Sequence, residues 1–123
     1  MIKTKSIYDA KEESDGTRIL ITVGNPPAWL DHYDWKQELG PDRDILMKWK
    51  YSKKTEEDWK IYEETFLAKM KGQAAREAIA ELRQRSSSGE TIMLLCHCKE
   101  GEHCHRYIIK SKITGSAKVI ESE

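Results

Sequence analysis

Six of the chain's seven cysteine and histidine residues fall within ten consecutive positions: Cys96, His97, Cys98, His103, Cys104 and His105. Arg106 follows directly. Thiols and imidazoles serve as nucleophiles, general bases and metal ligands, and a guanidinium clamps phosphate or carboxylate with paired donors. The run Thr91–Arg106, TIMLLCHCKEGEHCHR, is therefore the first place to look for chemistry.

Position decides what such residues can do. Residues 91–95, TIMLL, form a short apolar run that fits a strand covered on both faces, as in a parallel sheet. Lys99, Glu100, Gly101 and Glu102 mark a turn. From Cys104 the apolar residues Tyr107, Ile108, Ile109 and Ile113 recur with helical spacing. The unit is strand, loop, helix, and open α/β sheets bind ligands at that edge. Unpaired amides of the first helical turn attract anions, and Arg106 would add a bidentate clamp. A thiol at a helix start beside an arginine ionises readily, so Cys104 is the expected reactive thiol, with His105 as its base. Cys96, His103 and, more loosely, Arg18 are expected to help bind the ligand.

Four chemistries compete for the cluster. An anion or nucleotide pocket is preferred. A zinc site built from Cys96, Cys98, Cys104 and His103 is the alternative cofactor reading. Its ligand types are right, but only one residue separates Cys96 from Cys98, short of the usual two to four. A redox pair with Cys104 is weaker, because no Cys-x-x-Cys occurs. Ordinary packing is the fourth reading, since cysteine is often buried as a small hydrophobe. Phosphatase-like and sulfurtransferase-like loops are discounted: seven residues separate Cys98 from Arg106, and one separates Cys104 from Arg106.

Composition bounds the partners. The 123 residues are expected to form a single α/β domain, 1–123. Basic and acidic residues balance at 21 each, the pI is 6.9, and mean hydropathy is −0.74. A small anionic or phosphorylated ligand is the expected partner. Nucleic acid is not favoured by the charge, and no membrane association is expected. An odd number of cysteines and the lack of a signal-peptide core point to a reduced, cytoplasmic protein; no cofactor is expected, with zinc as the alternative.

The rest of the chain must position the cluster. Residues 2–8 and Arg18–Val23 are expected strands, the second ended by Gly24-Asn25-Pro26-Pro27. Residues 28–51 are expected to form short helices broken at Gly40-Pro41, with Asp42 as a cap and Trp29, Trp35 and Trp49 packing the helical layer. A stacking platform for a base is the sharper reading of those tryptophans. Thr55-Glu56-Glu57-Asp58 resembles a capping box. Trp59, Tyr62, Phe66 and Met70 then mark the buried stripe of a helix ended by Gly72. Another helix is expected over Ala74–Arg85, with Arg76, Arg83 and Arg85 solvated. A last strand is expected over Ala117–Ile120, in a right-handed unit with the strand at Ile92. The sum is a small, mostly parallel sheet of about four strands with helices packed around it.

Three segments, IYDAKEESDGTRILIT, WKQELGPDRDIL and TIMLLCHCKEGEHCHRYIIKSKI, resemble the domain of unknown function family 488, in its YeaO-like branch. The resemblance runs from about Ile2 to Ile113. Matching positions are Asp15, Gly16, Arg18, Trp35, Leu39, Pro41, Cys96, Cys104, His105 and Arg106. The chain departs from the family at Val23–Trp29, VGNPPAW, where relatives carry an arginine-rich Trp-Pro-Arg-Gly segment. The resemblance implies an α/β fold with its site at the cluster, and no particular activity.

Overall fold

The computed structural model describes residues 1–98 and 103–114. Four parallel strands form one sheet: β1 (Ile2–Ser6), β2 (Thr17–Leu20), β3 (Asp34–Trp35) and β4 (Ile92–Cys96), in the order β1-β4-β2-β3. β4 lies between β1 and β2, and all five of its residues are buried. Its uninterrupted apolar run suits that central place, because a parallel strand is covered on both faces.

The two faces are covered differently. On one, Ile2, Ile19, Ile21, Ile92 and Leu94 pack against three helices: α2 (Glu56–Lys69), α3 (Gln73–Ser87) and α4 (His105–Thr114). On the other, Leu20, Met93 and Leu95 lie under Ile7 and Leu30, which come from connecting segments rather than helices. Strand alternation turns Lys3, Lys5 and Arg18 onto this second face. There Lys3 Nζ donates to the Ser14 carbonyl at 2.7 Å, and Lys5 Nζ and Arg18 Nη1 donate to the Asp15 carboxylate at 2.7 and 2.6 Å. The loop between β1 and β2 is thus held down by the cations it covers.

Gly16 makes the turn out of that loop. Its φ is +72°, and an added Cβ would lie 2.4 Å from the Thr91 carbonyl oxygen. That same carbonyl accepts the Thr17 amide at 2.9 Å, so neither side can yield cheaply. Gly16→Ala is expected to cost about 3 kcal/mol, from backbone strain and overpacking together. A shift in the urea midpoint at unchanged slope would report it; an unchanged midpoint would refute it.

The helices follow their local signals. Thr55 and Asp58 form the reciprocal capping box of α2. Tyr62, Phe66 and Met70 are buried along its stripe, and Trp59 is partly buried. Gly72 takes the N-cap of α3 rather than the end of α2, whose C-cap is Met70. Arg83 and Arg85 are not merely solvated. Arg83 donates to the carbonyls of Lys112 and Ile113 at the end of α4, and Arg85 pairs with Glu81 and Glu90.

The stretch before α1 (Arg43–Lys50) departs from expectation. Asp42 is the N-cap residue of α1, without a side-chain cap bond, but the preceding residues form β3 and a 3-10 turn at Gln37–Leu39 instead of a helix. The reason is the open edge of β2. Asp34 and Trp35 pair with Ile19 and Leu20, the Lys36 amide donates to the Leu20 carbonyl, and Trp35 Nε1 donates to Thr22 O at 2.9 Å. Satisfying an exposed ladder outweighs weak local helix preference. Trp29 and Trp35 consequently remain 58% and 37% exposed and do not pack the helical layer. The strand expected at Ala117–Ile120, with its crossover from Ile92, lies outside the described residues. Among the described residues, no helix is long and apolar enough to cross a membrane.

Candidate functional site

The carboxyl end of β4 meets the amino end of α4 on the helix-covered side of the sheet. Alternation turns Ile92, Leu94 and Cys96 to that side, and His105 opens α4 facing them. Cys96, Cys104 and His105 are all buried. Cys104 Sγ lies 3.1 Å from Cys96 Sγ, and His105 Nδ1 lies 3.8 Å from both sulfurs. Cys98, half-buried, places its sulfur 4.0 Å from Cys96 Sγ.

The far side of the imidazole fixes its tautomer. His105 Nε2 lies against the Ile21 carbonyl at 2.5 Å. A carbonyl only accepts, so Nε2 carries the proton and Nδ1 turns a lone pair to the sulfurs. Burial holds this imidazole below its usual pKa, so it stays neutral. The thiols of Cys104 and Cys98 hold Cys96 well below the usual thiol range, whereas the Cys96 sulfur beside it pushes Cys104 up. Cys104 accordingly donates toward Cys96 Sγ.

Above the cluster lies a pocket of about 430 Å³. Its wall comes from Thr22, Val23 and Gly24 after β2, from α1 and the turn after it, and from Tyr62 of α2. The floor is the cluster itself. Arg43, Lys50 and Lys54 line it together with His97 and His103, and its described lining holds no carboxylate. Trp49 supplies a broad apolar wall, with Lys54 Nζ 5.3 Å from its ring centre. The pocket opens beyond the carboxyl ends of the strands, where open α/β sheets bind ligands.

The family model DUF488-N3a, the active DUF488-N3 subclade, matches residues 2–116. The chain belongs to the DUF488-N3a family. No curated protein and no solved structure matches it significantly.

In this DUF488-N3a chain the residues singled out from sequence do not all converge. Cys96, Cys98, Cys104, His103 and His105 line one pocket. Arg106 is fully buried: Nη1 donates to the Cys98 carbonyl at 3.0 Å and Nη2 to the Tyr107 hydroxyl at 2.9 Å. It fixes the chain after β4 and is not among the residues lining the pocket. Arg18 lies on the other face of the sheet, bound to Asp15 and to the His32 carbonyl, away from the cluster. His103 stacks on Trp59 at 4.5 Å and 13°, with Nε2 3.2 Å from Glu56 Oε1, so it turns from the sulfurs and His105 takes that place. The cations that do face the pocket, Arg43, Lys50 and Lys54, carried no signal in a segment where charge is everywhere. Trp49 carried a weak one, as a possible stacking surface.

Proposed function

We propose that this protein binds a phosphorylated small molecule bearing a flat ring, of the nucleotide class, in the pocket above Cys96, Cys104 and His105. The supporting observation is the lining: three cationic side chains, three histidines and no described carboxylate, beside the Trp49 and Tyr62 rings. A concave site lined by one sign of charge focuses its field on an anion. An aromatic wall next to it suits a base or another planar group. The volume falls in the range of about 300–1,000 Å³ common for small-molecule sites. The family's designation as active agrees with a chemically competent floor. On this reading the floor acts on the ligand through its thiols and imidazole, in a reducing compartment such as the cytoplasm that keeps the three cysteines free.

Calorimetric titration with adenosine monophosphate, adenosine and inorganic phosphate tests the reading. The nucleotide should bind better than either fragment. The double variant Lys50→Ala, Lys54→Ala should weaken it at least about tenfold, roughly 1.4 kcal/mol or more, and flatten its salt dependence. Equal affinity in the variant, or no binding of any phosphate compound by the native chain, would sink it.

A further inference from the structure

We propose that Cys96, Cys104 and His105 form a zinc-class metal centre, through Sγ, Sγ and Nδ1, whose fourth position opens into the anion pocket. It rests on the pocket reading above only for what occupies that fourth position.

Three features converge. The three ligand atoms lie within 4.8 Å of one another, and all three residues are buried. Tetrahedral zinc with Zn–S near 2.3 Å and Zn–N near 2.0–2.1 Å needs ligand atoms roughly 3.5–3.8 Å apart. The two sulfur–nitrogen distances are both 3.8 Å. The sulfurs, at 3.1 Å, would part by a fraction of an ångström as a cation enters between them. Second, the imidazole is already oriented for coordination. Its Nε2–H is held by the Ile21 carbonyl, the outer partner that metal-binding histidines usually have, and Nδ1 is left to the metal. Third, charge balances. Two thiolates offset one divalent cation, giving a centre with no net charge in a buried place. Two thiolates and one imidazole, with a free position, is a ligand set of catalytic rather than closed structural zinc sites.

All three ligands line the pocket, so the open position faces Lys50, Lys54 and Arg43. A phosphate oxygen or a water can take it, and metal-bound water ionises far more readily than bulk water. His103 is committed to Trp59 and Glu56 and stays outside the coordination sphere. Cys98 Sγ lies 4.0 Å from Cys96 Sγ but outside the group whose ligand atoms all lie within 4.8 Å of one another.

The test uses the full chain, purified without chelator, stripped, and titrated with cobalt and then zinc. Stoichiometric cobalt should give an intense thiolate-to-metal absorption that zinc abolishes. Cys104→Ser and His105→Gln should each weaken zinc affinity by at least about tenfold, roughly 1.4 kcal/mol or more. Zinc should raise the melting temperature of the native chain but not of Cys104→Ser, which separates lost ligation from lost folding. Cys98→Ser should keep the absorption; losing it would overturn the open fourth position. Lys50→Ala with Lys54→Ala should keep the metal while losing the nucleotide, so the two proposals fail independently. A native chain that binds neither metal overturns this one.

Discussion

Replacing Asp15 with alanine is expected to destabilise the fold by about 3 kcal/mol, the low end for breaking a buried ion pair. The carboxylate is buried and accepts from Lys5 Nζ, Arg18 Nη1 and the Glu12 amide at 2.7, 2.6 and 3.2 Å. Its loss leaves Arg18, only 6% exposed, on the sheet face without a counter-charge. The low end applies because Lys5 can turn its amine toward water. Asp15→Asn keeps one acceptor and should cost less. Chemical denaturation of both variants decides the point; a loss in Asp15→Ala below about 1 kcal/mol would mean the pair only fills space. The pH dependence has a definite sign. Burial alone would push the Asp15 pKa up, but the hydrogen bonds from Lys5, Glu12 and Arg18 outweigh it, and the folded value lies below the unfolded one. The contribution is therefore complete above the unfolded pKa, about 3.9, and is lost as pH falls through the folded value. The native chain should show a steeper acid limb below about pH 4 than Asp15→Ala.

Asp15 also shows where sequence reading stops. Asp15-Gly16-Thr17-Arg18 is legible as a turn into a strand, because glycine and short polar residues carry that information locally. That Arg18 belongs to Asp15 and not to the cysteine cluster depends on which face of β2 it leaves from, and on Lys5 arriving from β1. The same division runs through the molecule. β4 was legible because a central parallel strand is apolar throughout, and α2 because its cap and stripe are periodic. β3 was not, because its two residues are held by the free edge of β2 rather than by their own preference. At the site, the cluster was legible from residue types alone. The exchange of roles was not. His105 rather than His103 faces the sulfurs because of a carbonyl 84 residues away, and Cys96 rather than Cys104 is the thiol held below its usual range, with Cys104 donating toward it. Lys50 and Lys54 became pocket residues only when α1 was placed above β4.

Phe66→Ala should lower stability by about 3–5 kcal/mol and disturb the site from beneath. Phe66 is 1% exposed in the main core. Its ring lies parallel to Tyr62 at 6.2 Å and meets the His105 ring edge-on at 5.4 Å and 71°. The hydrogen bond to Ile21 anchors one atom of the imidazole but does not stop rotation about that axis. The phenyl ring does, and an edge-to-face contact adds about 0.5–1.5 kcal/mol to that restraint. Removing it leaves a cavity into which the imidazole can tilt, carrying Nδ1 off the sulfurs. Phe66→Leu refills most of the volume without the flat face, so it separates packing from positioning. Stability should largely return in Phe66→Leu, while cobalt affinity should stay below native. The His105 Nε2–H resonance should exchange faster in both variants. Should cobalt affinity recover in step with stability, Phe66 would be a core residue and nothing more, and the orientation of His105 would rest on Ile21 alone.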